Sequence, residues 1–107
     1  MRYNSIIEPE AVQDLIDIKN YIAKDSLNRA NSFIFELKDK IKSLQEMPQR
    51  YRKSFYTQEE NTHDLIHKGY TIVYKIIQNN VHILSIFRQR AYWEWKYDSG
   101  EIIRYIT

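Results

Sequence analysis

Six basic side chains in the second half of the sequence are the residues best suited to chemistry. They stand near the predicted starts and ends of strands: Arg50, Arg52, Lys53, Lys68, Arg88 and Arg90. Arginine can clamp a phosphate or a carboxylate through two parallel hydrogen bonds, and a strand positions such a cation rigidly. If the strands pair as their pattern suggests, several of these cations converge at one edge of a sheet. Such a surface would suit RNA phosphates or an acidic protein partner.

RNA cleavage is one chemistry that these residues allow. Cations would stabilise the charge that develops on a scissile phosphate, and a histidine or tyrosine would handle protons. In a nuclease we would assign this work to five residues: Arg52, Lys53, Arg88, Arg90 and Tyr92. The alternative is a basic rim that only keeps the sheet soluble, and the residues leave both interpretations open.

A cluster of aromatic residues follows the last basic pair. It contains Tyr92, Trp93, Trp95 and Tyr97. Such residues either close the edge of a core or bind a protein, because Trp and Tyr dominate interface hot spots. The predicted partner-binding residues are therefore Arg50, Arg52, Lys68, Arg88, Arg90, Tyr92, Trp93 and Trp95.

Several kinds of site are excluded by composition or spacing. The chain has no cysteine, which excludes disulfides, thiol nucleophiles and thiolate zinc sites. With only Gly69 and Gly100 it has no glycine-rich phosphate loop, and no Gly-x-Ser-x-Gly elbow occurs. His63 and His67 fall on a predicted strand and lack a third ligand. We therefore expect no metal and no cofactor.

Length and charge favour one soluble domain. The chain has 107 residues, of which 43% are hydrophobic, and a net charge of +2. Residues 48–97 hold eight Lys/Arg against four Asp/Glu, so the basic excess lies in the half that we assign to the sheet. The carboxylates of Asp14 and Asp17, like those of Glu59 and Glu60, are interpreted as solvated. Without a signal peptide or a long apolar run, we expect a cytoplasmic protein with no membrane partner.

The first half of the chain predicts a strand and two helices. Residues 2–7 can form a short strand, and Pro9 suits the first position of a helix that runs to about Lys24. Ser26 or Asn28 can cap a second helix, which we expect Pro48 to end. The short connection predicts an antiparallel helix hairpin.

The second half predicts strands. They are residues 51–56, 62–68, 70–77 and 81–87, with a turn at Asn79-Asn80. The fold class is therefore α+β: a short N-terminal strand, and an antiparallel helix hairpin packed on a mainly antiparallel sheet of about four further strands. Strand 70–77 is apolar on both faces, which favours a central position. The whole chain, 1–107, is expected to be one domain, with 98–107 as an extension.

The order of these elements resembles the RelE/ParE superfamily of bacterial type II toxins, on its ParE-like branch. The matching segments run from Pro9 to Arg90: Ala11-x-x-Asp14-Leu15-x-Asp17-Ile18-x-x-Tyr21-Ile22-Ala23, Ala30-x-x-Phe33-Ile34-x-x-Leu37-x-x-x-Ile41-x-x-Leu44-x-x-x-Pro48, Tyr51-Arg52, Gly69-Tyr70-x-Ile72-Val73-Tyr74-x-Ile76 and Val81-x-Ile83-Leu84-x-Ile86. The resemblance implies a toxin with a cognate antitoxin that wraps over the helix pair and sheet, possible hetero-oligomers, and one of two targets. RelE-like members cut mRNA on the ribosome, whereas ParE-like members are associated with poisoning DNA gyrase.

One position favours the second target. RelE-like nucleases usually carry arginine immediately after the Gly-Tyr of the first hairpin strand, and here that residue is Thr71. The tyrosine that they place after the last arginine is out of register, because the usual spacing falls on Glu94 or Lys96. The resemblance thus favours a gyrase-poisoning toxin over a ribosome-dependent mRNA endoribonuclease. A non-toxic binding module of the same fold is the second alternative.

Overall fold

The computed structural model describes residues 2–88, which form an α+β domain. Strand β1 (Asn4–Ile7) leads into helices α1 (Pro9–Ala23) and α2 (Leu27–Ser43), and a 3₁₀ turn (Pro48–Arg50) follows. The remaining elements are strands β2 (Arg52–Lys53), β3 (Thr62–His67), β4 (Tyr70–Ile77) and β5 (Asn80–Arg88). Within this range no helix has the length and apolar character needed to cross a membrane. The predicted fold class is confirmed.

The helix hairpin follows from the apolar stripes in the sequence. On α1, Pro9 occupies the first turn, and Ala11, Leu15 and Ile18 are buried. On α2, the backbone N–H of Arg29 donates to the Ser26 hydroxyl at 3.2 Å, which confirms Ser26 as the cap. The prediction that Pro48 ends the second helix was wrong. Helix α2 ends at Ser43, and Pro48 instead begins the 3₁₀ turn.

In the described part of the chain, the sheet has five strands in the order β1-β5-β4-β3-β2. Strand β1 runs parallel to β5, and the other pairs are antiparallel. The predicted central position of β4 is confirmed. Its Ile72 and Tyr74 side chains pack into the core beneath the helices, while Val73 is buried outside that cluster.

Two tight turns join the last three strands. Lys68 and Gly69 connect β3 to β4 with φ of 48° and 83°, and positive φ at both central residues is typical of a two-residue hairpin turn. Gln78 and Asn79 connect β4 to β5, with Gln78 at φ 55°. The predicted Asn79-Asn80 turn was therefore displaced by one residue, because Asn80 already pairs with Ile77.

A β-bulge in β5 keeps its apolar residues on the face of the sheet that packs into the core. Val73 pairs with Ser85, but the next residue, Tyr74, pairs with Ile83, so Leu84 is an extra residue in β5. Ile83 and Ile86 are three apart, a spacing that would place them on opposite faces of a regular strand. Because of the extra residue, both belong to the core cluster.

Asp14 joins α1 to the free edge of β5, and its assignment as a solvated carboxylate was wrong. Strand β1 covers β5 only as far as Ile83. Beyond that point, the backbone N–H of Ile86 donates to Asp14 Oδ2 at 2.8 Å. Burial raises the pKa of Asp14, although this hydrogen bond opposes the rise.

Replacing Asp14 tests this joint. Asp14→Ala leaves the buried Ile86 N–H without its acceptor, so we expect the free energy of unfolding to fall by about 1–3 kcal/mol. Asp14→Asn keeps an acceptor oxygen and removes a partly desolvated charge, so its stability at pH 7 should stay close to that of the wild type. Urea unfolding of the three proteins measures the difference. Equal losses in both variants would show that the hydrogen bond is unimportant.

Candidate functional site

A groove of about 650 Å³ opens where the helix hairpin meets one end of the sheet. Its walls come from the C-terminal end of α1, the first turns of α2, the β3–β4 turn and the last residue of β5. Three aromatic rings line it: Tyr21, Phe33 and Tyr70. Phe33 and Tyr70 contact each other, with their ring centroids 5.1 Å apart. The groove therefore offers apolar surface at the mouth of the core.

The cations around this groove differ in how strongly they are held. Glu36 accepts from Nε2 of His67 at 2.8 Å and from Nζ of Lys68 at 2.9 Å. Within residues 2–88, the guanidinium groups of Arg29 and Arg88 make no ion pair. They are therefore the cations of the groove that remain available to an anion.

The Glu36 carboxylate should make stability depend on pH. Its hydrogen bonds to Lys68 and then to His67 hold its pKa below the ordinary value of 4.5. The unfolded state therefore binds the proton first, and the stability that Glu36 contributes is present above about pH 4.5 and is lost as the pH falls through the lower folded-state pKa. Glu36→Gln should lose less stability than the wild type in acid. Urea midpoints measured from pH 6 to pH 3 would show this, and parallel curves would contradict it.

Arg52 lies elsewhere, on the short strand β2 at the far edge of the sheet. Its Nη2 lies 3.3 Å from Oδ2 of Asp64, a carboxylate whose side chain is fully buried. The same oxygen accepts from the backbone N–H of Phe55 at 3.0 Å. These contacts end β2 after two residues, so the predicted strand over residues 51–56 was too long. They also fix Arg52 to a structural partner.

The other predicted basic residues lie either near β2 or at the groove. Arg50 is exposed on the 3₁₀ turn, where its guanidinium stacks over the Tyr51 ring at 5.0 Å, and Lys53 is exposed on β2. Lys68 and Arg88 line the groove. The prediction that basic side chains converge at one edge of the sheet thus holds for Lys68 and Arg88. It was wrong for Arg52 and Lys53, which lie on β2. Arg90, Tyr92, Trp93 and Trp95 lie outside the described residues.

The remaining candidate positions have structural roles. Thr71 is fully buried on β4. His63 and His67 lie on one face of β3, where His63 Nδ1 is 2.9 Å from the carbonyl oxygen of Tyr51 and His67 contacts Glu36. Over residues 2–88 no group of three potential ligands could hold a metal ion. The histidines therefore help to join elements.

Sequence reasoning missed most of the groove. Arg29 was not singled out, and Tyr21 and Phe33 entered only through the helical segments that resemble the superfamily. One signal was present in the sequence: Arg29 lies in the first turn of α2, where the helix dipole disfavours a cation. A residue that departs from a local preference often has a role at a surface.

Comparisons with known proteins place the fold among bacterial toxins. The family model for the ParE toxin of the type II toxin–antitoxin system parDE matches residues 6–93. No curated protein matches the chain significantly.

Three solved structures share the fold at low sequence identity. A chain of the chromosomal ParDE toxin–antitoxin system from P. aeruginosa is 15% identical, with a TM-score of 0.70, over 83% of this chain and 98% of that one. The RelBE2 toxin–antitoxin complex from Mycobacterium tuberculosis contains a chain that is 20% identical, with a TM-score of 0.55, over 83% and 93%. Free E. coli toxin RelE, as a mutant, is 17% identical, with a TM-score of 0.62, over 95% and 99%.

Proposed function

Because the chain belongs to the ParE toxin family of type II toxin–antitoxin systems, we propose that it stops bacterial growth by binding DNA gyrase in the cytoplasm. The inhibition would come from protein contacts, and a cognate antitoxin would neutralise it. The observation that carries this proposal is the separation of the cations. Arg52 and Lys53 lie on β2, whereas Lys68 and Arg88 line the groove, so the four residues do not form one site.

The separation weakens the case for RNA cleavage. A nuclease needs several cations directed at one phosphate, and loss of one such group typically costs a few kcal/mol of barrier. Here Arg52 is held by the buried Asp64, and Lys68 is held by Glu36. The position at which RelE-like nucleases carry arginine is the buried Thr71. This distribution favours binding over cleavage.

The groove fits an extended partner better than a small molecule. It is open and combines aromatic rings with the two available guanidinium groups of Arg29 and Arg88. One of the similar structures, RelBE2 from Mycobacterium tuberculosis, is a toxin–antitoxin complex. An acidic antitoxin segment with large apolar side chains would match both properties. We place the antitoxin contact here, and the gyrase contact at the exposed Arg88 end of β5.

A supercoiling assay tests the proposal. Purified toxin should inhibit DNA supercoiling by gyrase, and an equimolar antitoxin should restore it. Full supercoiling at a large excess of folded toxin would refute the gyrase target. The same preparation, added to translating ribosomes, should leave mRNA intact. Harmless expression without antitoxin would instead favour a binding module that is not toxic.

One observation keeps the endoribonuclease as a second candidate. Arg88 ends the last strand, exposed, where RelE-like nucleases place an arginine. Toxin-dependent mRNA cleavage on ribosomes that is lost in Arg88→Ala would establish that activity.

A further inference from the structure

We propose that Lys40, Arg50 and Lys53 form a basic strip that binds the phosphate backbone of a DNA duplex. The strip lies at the β2 edge of the sheet, on the side that the helices cover, and none of its three residues lines the groove. This inference goes beyond the proposed function, because DNA binding by the toxin alone requires neither gyrase nor an antitoxin.

Contacts of α2 and the 3₁₀ turn bring the first two cations together. Nη2 of Arg50 donates to the hydroxyl of Ser43 at 3.3 Å, and this hydroxyl donates to the carbonyl oxygen of Lys40 at 2.6 Å. Lys40 stands between Glu36 and Ser43 on one side of α2, since residues three and four apart are neighbours on a helix. Glu36 contacts His67 of β3, so this side of the helix faces β3. Lys40 and Arg50 therefore lie along the same edge.

Lys53 reaches that edge from β2. It pairs directly with His63 of β3, so the two side chains lie on one face of the sheet. His63 stacks on Tyr74, a member of the core beneath the helices, with the ring centroids 5.5 Å apart. Nδ1 of His63 also lies 2.9 Å from the carbonyl oxygen of Tyr51, the residue that follows Arg50. The third cation thus lies on the helix side, beside the 3₁₀ turn.

The positive charge of the strip is not neutralised within residues 2–88. None of its three cations forms an ion pair there. Glu36 holds Lys68 instead, and Asp64 holds Arg52. Asp39 is the acidic neighbour of the strip in sequence, and consecutive residues point to different sides of a helix. The strip therefore keeps its charge for an anion from outside the domain.

The chemistry of the strip favours a duplex backbone over a protein or a single strand. Protein hot spots and unstacked bases both need an accessible aromatic ring. At the strip the ring of Tyr51 is partly buried, and the guanidinium of Arg50 lies over its face at 5.0 Å. Two of the three cations are lysines, which bind phosphate as point charges. A DNA duplex carries one charge per about 1.7 Å of its axis, so each cation can find a phosphate without a precise fit.

The salt dependence of DNA binding tests this proposal. Each phosphate contact adds about 0.9 to the steepness with which log affinity falls against log salt for duplex DNA. A tenfold rise in salt should therefore weaken the wild type about eightfold more than Lys40→Ala, Arg50→Ala or Lys53→Ala. Fluorescence anisotropy with a short labelled duplex of mixed sequence measures this. Arg50 and Lys53 are exposed and Lys40 partly so, and circular dichroism on the same samples checks that the variants fold.

Matched variants show whether the position of the charge matters. Lys38→Ala removes an exposed lysine two residues before Lys40, about 200° away around α2, and Arg29→Ala removes a cation of the groove. Both should keep the salt dependence of the wild type.

Four results would overturn the proposal. The strip variants could keep the wild-type salt dependence, or Lys38→Ala could lower it equally, which would indicate net charge alone. A loss in Arg29→Ala alone would place the DNA in the groove. Tighter binding of a single strand than of the duplex would indicate base stacking, and displacement of the duplex by polyglutamate of equal charge would indicate an acidic protein partner. Because DNA binding is measured without gyrase, its failure leaves the proposed gyrase target standing, and a failed supercoiling assay leaves the strip standing.

Discussion

Replacing Tyr74 with alanine should lower the free energy of unfolding by about 3–5 kcal/mol, a large fraction of the stability of a small domain. Tyr74 lies on the central strand, its side chain is fully buried, and it packs into the core cluster with Leu37 and Ile72. Its hydroxyl donates to the carbonyl oxygen of Pro48. The alanine variant would therefore lose apolar burial and the link between the sheet and the 3₁₀ turn.

The Tyr74→Phe variant separates these two losses. It keeps the ring and leaves the Pro48 carbonyl without its donor, so we expect a loss of about 1–3 kcal/mol. Thermal unfolding followed by circular dichroism measures both variants, and each kcal/mol should lower Tm by about 4–8 °C. If the alanine variant cost no more than the phenylalanine variant, Tyr74 packing would contribute little to stability.

Tyr74 also predicts behaviour in alkali. Burial raises its pKa above the ordinary value of 10.0. Above about pH 10 the unfolded state loses the phenol proton first, so stability falls as the pH rises further. The Tyr74→Phe variant should lack this part of the alkaline decline, and denaturant midpoints from pH 8 to pH 11 would show the difference.

The elements of this fold could be predicted because their signals are local. Apolar spacing and the Ser26 cap predicted both helices, and Tyr70–Ile77 was predicted with its observed bounds. Two features depend on pairing between distant segments and could not be predicted. The bulge at Leu84 requires the register of β5 against β4, and β2 is shortened because Asp64, on another strand, takes the Phe55 N–H.

Less of the candidate site could be predicted from the sequence, because the site also depends on contacts between distant segments. A count of basic residues cannot show that Arg52 and Asp64 form an ion pair, because the two meet only through the β2–β3 register. Nor can it show that Glu36, on α2, holds Lys68 at the β3–β4 turn. Arg88 was predicted as a binding residue, and the structure places it on the groove. Its role in binding stays a prediction.

Reversing the charge of Arg88 should abolish most of the activity against gyrase. Arg88 is exposed at the end of β5, and within residues 2–88 it forms no ion pair that would compete with a partner. Arginine is a frequent hot-spot residue, and losses of at least about 2 kcal/mol are typical when such a residue is removed. The concentration of Arg88→Glu that half-inhibits supercoiling should therefore rise at least about 30-fold over the wild type.

This loss must be separated from a loss of folding and from a general effect of charge. A substitution at an exposed strand end should change the free energy of unfolding by less than about 0.5 kcal/mol, which urea denaturation can check. Lys38→Glu makes the same charge reversal on the exposed face of α2 and should inhibit gyrase as the wild type does. Equal losses in Arg88→Glu and Lys38→Glu would mean that net charge, rather than a contact at the end of β5, governs the inhibition. Full inhibition by folded Arg88→Glu would place the gyrase contact elsewhere on the toxin.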